Sequence, residues 1–132
     1  MARERGFSVI EFLVVGSIVG ILALIAIPQY SIYRQKAYTN AAANDLRNVA
    51  AAQEAFFAQH GKYYPISNCL TSDSTTQCSI EGLPGVSKLS KGVTLSITAS
   101  AGGFSGFAKH TRGTSTCKWD STQGGMLGCS KS

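Results

Sequence analysis

The sequence has few of the residues on which enzymes and metal sites depend. Its 132 residues include two histidines, seven acidic residues and four cysteines, and no two cysteines form a C-x-x-C pair. Neither His60 nor His110 has an acidic residue at helical spacing, and no glycine-rich phosphate loop follows a strand pattern. Asp73, Glu81 and Asp120 are too dispersed for an EF-hand-like calcium site. We therefore expect no enzyme, no catalytic residue, no bound metal and no cofactor.

Charge is almost absent from residues 7–27, an apolar run whose one ionisable side chain is Glu11. A helix of this length would rise ~32 Å, about the thickness of a bilayer hydrocarbon core. A carboxylate in such a span costs several kcal/mol unless it is paired, and the nearest cations along the chain are Arg5 and Arg34. The run predicts a membrane-spanning helix whose carboxylate finds its partner on another molecule.

The six residues before the run, MARERG, are too few for a secretory signal, and their two arginines would hold this end in the cytoplasm. This short leader ends in Gly6 and is followed by Phe7. Glu11 is the fifth residue after that glycine, and Pro28 closes the apolar run. The arrangement resembles a type IV prepilin, the precursor of a type IV pilin.

The resemblance implies that a membrane-embedded prepilin peptidase cuts between Gly6 and Phe7 and then methylates the new amino terminus, giving N-methyl-Phe7. It also implies that Glu11 pairs with the amino terminus of Phe7 on an adjacent subunit. Losing one member of a buried ion pair costs ~3–5 kcal/mol, so such a pair would set the stagger of neighbouring subunits. The expected partners are identical subunits in a helical filament, the peptidase and the pilus assembly machinery. The expected location is the inner membrane first, and an extracellular surface filament afterwards.

Three small or rigid residues of the apolar run are further assembly candidates beside Phe7 and Glu11. Pro28 removes a backbone hydrogen bond and is expected to bend or locally open the helix. Gly16 and Gly20 form a small-xxx-small pair that could seat a neighbouring helix closely, although glycine is also frequent in membrane spans in general. In the resembled family, this region is often kinked or unwound in assembled filaments.

The helical pattern continues beyond the membrane run. Residues 29–60 contain no Gly or Pro, and Gly61 supplies the expected stop. Positions near one face recur at helical spacing: Leu46, Val49, Gln53, Phe56 and Phe57. The predicted organisation is a cleaved leader (1–6), a transmembrane and filament-core helix (7–28), an amphipathic helix (29–61) and a disulfide-bonded globular head (62–132).

The head is predicted to contain an antiparallel sheet of three or four strands. Residues 92–100 alternate apolar and polar side chains, and further candidates lie at 104–110, 115–120 and briefly near Met126 and Leu127. A hairpin turn is expected at 111–113, and a connecting loop at 62–88. The predicted fold class is therefore α+β, the type IV pilin fold by resemblance, with one long N-terminal helix packed on the sheet.

Four cysteines lie in the region expected outside the cytoplasm: Cys69, Cys78, Cys117 and Cys129. An even count in an oxidising compartment indicates two disulfides, and three pairings are open. We favour the local pairs, 69 with 78 and 117 with 129, because each brackets a Gly- or Ser/Thr-rich loop. The resemblance supports the second pair, since pilins commonly close a carboxy-terminal loop with a disulfide.

The formal net charge of +5 could favour DNA or acidic surfaces, but the cations are scattered as on an ordinary solvated face. The preferred function is a major pilin whose filament supports adhesion, twitching motility or DNA uptake. One alternative is a type II secretion pseudopilin, although the major ones typically stabilise the head with calcium. Another is a minor pilin acting as a DNA or adhesion receptor.

Overall fold

The computed structural model describes residues 6–71, 80 and 82–131. The chain divides into two compact units, residues 1–34 and 35–132. The described elements are helix α1 (Val9–His60) and strands β1 (Ile66–Leu70), β2 (Val93–Ser100), β3 (Gly103–His110), β4 (Ser115–Asp120) and β5 (Gly125–Lys131), with a 3-10 turn at Ser121–Gln123. The predicted α+β class, a long N-terminal helix with an antiparallel sheet, is confirmed.

Helix α1 begins and ends close to the predicted positions. Gly61 follows the last helical residue with φ 67°, and its N–H donates to the Phe57 carbonyl at 2.7 Å, as in a left-handed C-cap. Pro28 lies inside the helix, and the Ser31 hydroxyl donates to the Pro28 carbonyl at 2.8 Å. The helix is not opened at Pro28 in the single chain, so the expected local opening is not seen there.

The sheet has five antiparallel strands in the order β1-β2-β3-β4-β5. Strands β2 and β3 pair without interruption, from Val93 opposite His110 to Ser100 opposite Gly103. The prediction of three or four strands is wrong because β1 lies within the segment predicted as a loop. Strand β5 also extends well beyond the short strand expected near Met126. The predicted turn between β3 and β4 is present, closed by the Gly113 N–H bond to the His110 carbonyl.

The core of the second unit lies between the later part of α1 and one face of the sheet. Helix residues Leu46 and Val49 have no exposed surface, and neither do Val93 and Leu95 of β2. The alternating burial of β2 confirms that strand as half-buried. Each fully buried aliphatic side chain contributes about 1.5–3 kcal/mol relative to an exposed one, so this packing stabilises the unit.

One aromatic ring departs from the predicted helix face. Phe56 is buried, but Phe57 is 37% exposed and stacks on Tyr63 with ring centroids 4.6 Å apart. Consecutive helix positions point about 100° apart, so both rings cannot face the same core. The prediction that Phe57 shares the buried helix face of Phe56 is therefore wrong, and Tyr63 covers one side of the Phe57 ring instead.

Two buried polar side chains tie α1 to the rest of the second unit. The Gln53 amide donates to the Tyr64 carbonyl at 2.6 Å and accepts from the Tyr64 N–H at 2.7 Å. The Asp45 carboxylate accepts from the Ser90 N–H at 2.7 Å and from the Ser90 hydroxyl at 3.0 Å. Burial raises the pKa of Asp45, and the Ser90 bonds oppose that rise. Both side chains therefore fix chain segments that have no regular pairing of their own.

Candidate functional site

The first unit presents an apolar helix surface that no part of the described residues covers. The most apolar 18-residue window of α1 has a mean hydropathy of 2.7, and none of it is buried. Large side chains such as Phe12, Leu24 and Ile27 are each more than two-thirds exposed. By length and composition, this part of the helix can cross a membrane. An exposed apolar surface of this extent is expected to lie in lipid or against other helices.

Glu11 sits in this surface as part of an N-terminal cap. Its Oε2 accepts a 2.9 Å hydrogen bond from the Ser8 N–H, three residues earlier. This contact is half of a capping box, in which a glutamate at the third helical position binds the backbone N–H of the residue before the helix. Only cations were considered as partners of Glu11 from the sequence, and the structure adds a neutral donor in the same chain, the backbone N–H of Ser8. The Ser8-x-x-Glu11 signature was visible in the sequence and would have found the contact.

A shallow groove of about 330 Å³ surrounds the Glu11 carboxylate. Its other walls are the apolar side chains of Phe7, Ile10, Val14 and Val15. The Ser8 N–H is a neutral donor, and no cation among the described residues is recorded against the Glu11 carboxylate. The groove can therefore accept a cationic group flanked by apolar atoms.

Gly16 and Gly20 follow Glu11 along the helix and leave open space beside the backbone. A Cβ built on either glycine would meet no atom within 4 Å. The glycines are therefore not required by packing within this chain. A neighbouring helix could approach the backbone closely at both positions.

The expected cleavage site lies at the start of the described residues. Gly6 and Phe7 precede α1, both are exposed, and a Cβ at Gly6 would meet nothing within 4 Å. The remainder of the expected leader, residues 1–5, lies outside the described residues. Gly6 and Phe7 themselves therefore leave the peptide bond between them accessible.

Cys117 and Cys129 form a disulfide, the pairing favoured from the sequence. The two residues lie directly opposite each other on β4 and β5, with Cα atoms 3.9 Å apart. Cys69, on β1, is also disulfide-bonded, and its predicted partner Cys78 lies outside the described residues. The described disulfide fastens the edge strand β5 to the sheet.

His110 is a buried residue of the second unit that the sequence analysis left without a role. Its ring is 6% exposed, stacks on Tyr38 with centroids 4.3 Å apart, and accepts the Arg112 N–H at Nδ1 over 3.0 Å. Burial lowers the pKa of His110, and the nearby Arg112 charge adds to this effect. Both effects favour the neutral form of the ring, whereas the backbone of Lys91 and the charge of Asp45 oppose them. Tyr38 and His110 are 72 positions apart along the chain, so no local signal predicts the contact.

Among the described residues, no group of three or more His, Cys, Asp or Glu side chains could hold a metal ion. The described part of the chain instead combines a membrane-length helix, uncovered on all sides, with a helix-backed antiparallel sheet fastened by a disulfide. This combination defines an α+β protein of pilin-like fold whose N-terminal helix is long and apolar enough to cross a membrane.

Comparison with known proteins agrees with this class. The chain is 36% identical over 66 residues to the type IV major pilin protein PilA of Myxococcus xanthus, covering 50% of this chain and 30% of that protein. It is 38% identical over 61 residues to the fimbrial protein EcpB of Eikenella corrodens, covering 46% of this chain and 38% of that protein. It is 32% identical over 79 residues to the type IV major pilin protein PilE1 of Neisseria gonorrhoeae, covering 60% of this chain and 47% of that protein.

No family model matches the chain. The matched regions span less than half the length of these curated relatives. Several relatives at 32–39% identity are nevertheless named as pilins or fimbrial proteins. The similarity and the pilin-like fold together support a type IV pilin.

Proposed function

We propose that this chain is the structural subunit of a type IV pilus, a major pilin that assembles by helix packing. The observation that carries the proposal is the uncovered apolar surface of the first unit with the Glu11 carboxylate embedded in it. A lipid bilayer covers such a surface before assembly, and the helices of neighbouring subunits cover it afterwards. No catalytic step is part of this function.

In the proposed mechanism, Glu11 and Phe7 set the stagger between subunits. Cleavage after Gly6 creates a positively charged amino terminus on Phe7, which is then methylated. This group enters the Glu11 groove of a neighbouring subunit, where apolar walls flank the carboxylate. The pair fixes the stagger because any other stagger would bury one of the two charges without its partner. Such an unpaired charge among helices costs ~3–5 kcal/mol.

The proposed division of labour follows the predicted segments. Residues 1–6 are the leader, 7–28 form the filament core, 29–61 continue the helix, and 62–132 form the head that coats the filament. Gly16 and Gly20 let neighbouring helices approach, and Pro28 supplies the weak point where the helix can open on assembly. The disulfides protect the head in the oxidising space outside the cytoplasm.

The proposed partners are identical subunits, the prepilin peptidase and the pilus assembly machinery. The subunit waits in the inner membrane and then becomes part of an extracellular filament. Adhesion, twitching motility or DNA uptake would be functions of the assembled filament. The membrane-length helix and the relatives named as major pilins support this route.

Intact-mass analysis of filaments sheared from producing cells tests the proposal, with and without reduction. We expect an abundant species that begins at methylated Phe7 and gains about four hydrogens on reduction, corresponding to two disulfides. Processed protein confined to membranes would contradict a major pilin. That result would favour a type II secretion pseudopilin or a minor pilin acting as a receptor.

Two variants of the leader test the cleavage site by the same mass measurement. Gly6→Val places a branched side chain beside the scissile bond and should block processing. Gly6→Ala is the matched control and should impair the cut only modestly. Mature protein from Gly6→Val in normal amount would contradict the assigned site.

A further inference from the structure

A cavity of about 680 Å³ lies in the second unit, where β1 ends, β2 begins and β3 turns into β4. Its described walls come from four separate chain segments and include Tyr38, Thr71, Lys91, Gly92, His110 and Arg112. None of these residues has a role in the proposed assembly mechanism.

Backbone hydrogen bonds hold the walls of the cavity in place. The Thr71 N–H donates to the Val93 carbonyl at 3.2 Å, and the Gly92 N–H donates to the Thr71 carbonyl at 2.7 Å. The Thr111 N–H donates to the Gly92 carbonyl at 2.8 Å. The cavity is therefore preformed, since its three loops are joined to each other through the main chain.

Gly92 lets the His110 ring pack closely against the backbone at the wall of the cavity. It has φ 81°, and a Cβ placed on it would lie 3.0 Å from both Cε1 and Nε2 of His110 and 3.2 Å from the Thr111 hydroxyl. The left-handed backbone and this close approach both favour glycine. Glycine at this position therefore allows His110 and Thr111 to lie directly against the backbone where β2 begins.

The charged side chains in the described lining of the cavity are positive. Lys91 and Arg112 line it, and its described lining includes no carboxylate. Asp45, which acts electrostatically on His110, has both oxygens engaged by Ser90. The His110 ring adds an apolar wall rather than a charge, because its Nδ1 accepts the Arg112 N–H.

A hydroxyl without a partner supplies a second, independent observation. Thr71 is 9% exposed, and its Oγ1 has no hydrogen-bond partner among the residues that the structure describes. Buried polar atoms are nearly always paired, so one without a partner calls for an explanation such as a bound water, ion or ligand. Thr71 lines the same cavity as the two cations.

We propose that this cavity binds a phosphate ester. Arg112 and Lys91 would bind the phosphate oxygens, Arg112 through its forked N–H groups and Lys91 as a point charge. The Thr71 hydroxyl would donate to the same group. The volume exceeds what a bare phosphate fills and lies within the range of small-molecule sites, so the phosphate carries an organic substituent. A phospholipid headgroup and a soluble sugar or glycerol phosphate share this chemistry.

The test uses the full chain in a neutral detergent, titrated with three probes: inorganic phosphate, glycerol 1-phosphate and dihexanoyl-phosphatidylglycerol. Binding is followed by the NMR signals of the His110 imidazole and the Gly92 amide, which border the cavity. We expect saturable shifts with at least one of the two esters, and tighter binding of that ester than of inorganic phosphate. A preference between the esters identifies a lipid or a soluble source.

Three substitutions make the assignment specific. Arg112→Gln should weaken binding about tenfold or more, while its backbone N–H still donates to His110. Thr71→Val keeps the side-chain shape and should weaken binding about three- to tenfold without loss of stability. Lys118→Gln, which removes a cation from the middle of β4, is the matched control and should have no effect.

Several outcomes would overturn the proposal. These are the absence of saturable shifts with either ester, binding of inorganic phosphate as tight as that of both esters, or equal weakening by Lys118→Gln and Arg112→Gln. Unchanged affinity in Thr71→Val would also overturn it, because the unpaired hydroxyl would then be a feature of the fold alone. The outcome is independent of whether the chain forms filaments.

Discussion

The two units of this chain use apolar residues in opposite ways. In residues 6–34, large aliphatic and aromatic side chains remain exposed over the whole helix surface. In residues 35–131, the same residue types are buried between the helix and a five-stranded sheet. The second unit buries most of its apolar side chains internally. The apolar side chains of the first unit require lipid or other helices around them.

This difference indicates where the free energy of each unit comes from. The second unit is stabilised by internal packing, by the Gln53 and Asp45 anchors and by disulfides. The first unit is a helix whose hydrogen bonds are internal but whose side chains must partition into lipid or other helices. Mutations in the first unit should therefore alter assembly, and mutations in the second should alter folding.

The largest expected effect is on assembly. Glu11→Ala removes the one charge of the apolar surface and should reduce filament number tenfold or more, because the amino terminus of a neighbouring subunit would be buried without a partner. Processing and the stability of the second unit should stay unchanged. Filaments are counted by electron microscopy and quantified after shearing. Glu54→Gln, which removes a carboxylate from the second unit, serves as the control. Normal piliation in Glu11→Ala would refute the pairing of Glu11 with the amino terminus.

The same chemical change in the two units provides the clearest comparison. Leu46→Ala creates a cavity in a fully buried site and should lower the free energy of unfolding by about 2–5 kcal/mol. Leu24→Ala, at a site 77% exposed, should leave that stability unchanged. Denaturant unfolding of both variants in detergent, followed by the fluorescence of Trp119, measures the difference. Equal losses would show that the two units do not fold separately.

The disulfide between β4 and β5 is expected to matter slightly less than the core. Replacing Cys117 and Cys129 together by serine releases a loop with a sequence separation of 12 and should cost about 3 kcal/mol. Strand β5 should exchange its amide hydrogens faster than β2 does, because it loses its covalent attachment. Hydrogen exchange resolved by strand measures this. Uniform faster exchange across the sheet would instead indicate that the bond supports the whole unit.

The smallest expected effect is a pH dependence confined to the second unit. Burial lowers the pKa of His110 below its ordinary value of 6.5, so below that pH the unfolded chain binds more protons and stability falls. Asp45 opposes this trend at lower pH, because burial raises its pKa above the ordinary value of 3.8. As the pH falls towards 3.8, the folded state binds a proton at Asp45 before the unfolded state does, so stability increases.

Denaturant unfolding at stepped pH measures this slope. We expect stability to decrease from pH 7 towards pH 5, and His110→Gln to flatten the decrease. His60→Gln is the matched control for loss of an imidazole. Equal flattening by both variants would contradict the assignment to His110.

Local sequence patterns predicted the regular elements well. Helix α1 follows from a long stretch without glycine or proline that stops at Gly61, and β2 follows from strict alternation of apolar and polar residues. Strand β1 was missed because its pairing is interrupted between Ile66 and Cys69, and Asn68 has φ 43°. Its alternation is therefore broken, and only pairing with β2 makes it a strand.

Strand β5 was underestimated for a related reason. Gly125 and Gly128 both have positive φ, and glycine is disfavoured in strands. The pairing with β4 and the disulfide at Cys129 hold the segment extended despite its composition. Neighbouring strands therefore decided this element, and local propensity did not.

The sequence by itself determined the membrane-length helix, the α+β class and the position of Glu11 within an apolar surface. Each of these depends on residues that are close along the chain, and helix rise and periodicity translate such spacing directly into structure. The tertiary structure alone decided the fifth strand, the Asp45–Ser90 anchor and the cavity beside His110. These features join residues tens of positions apart, and their geometry exists only after the helix and sheet have packed.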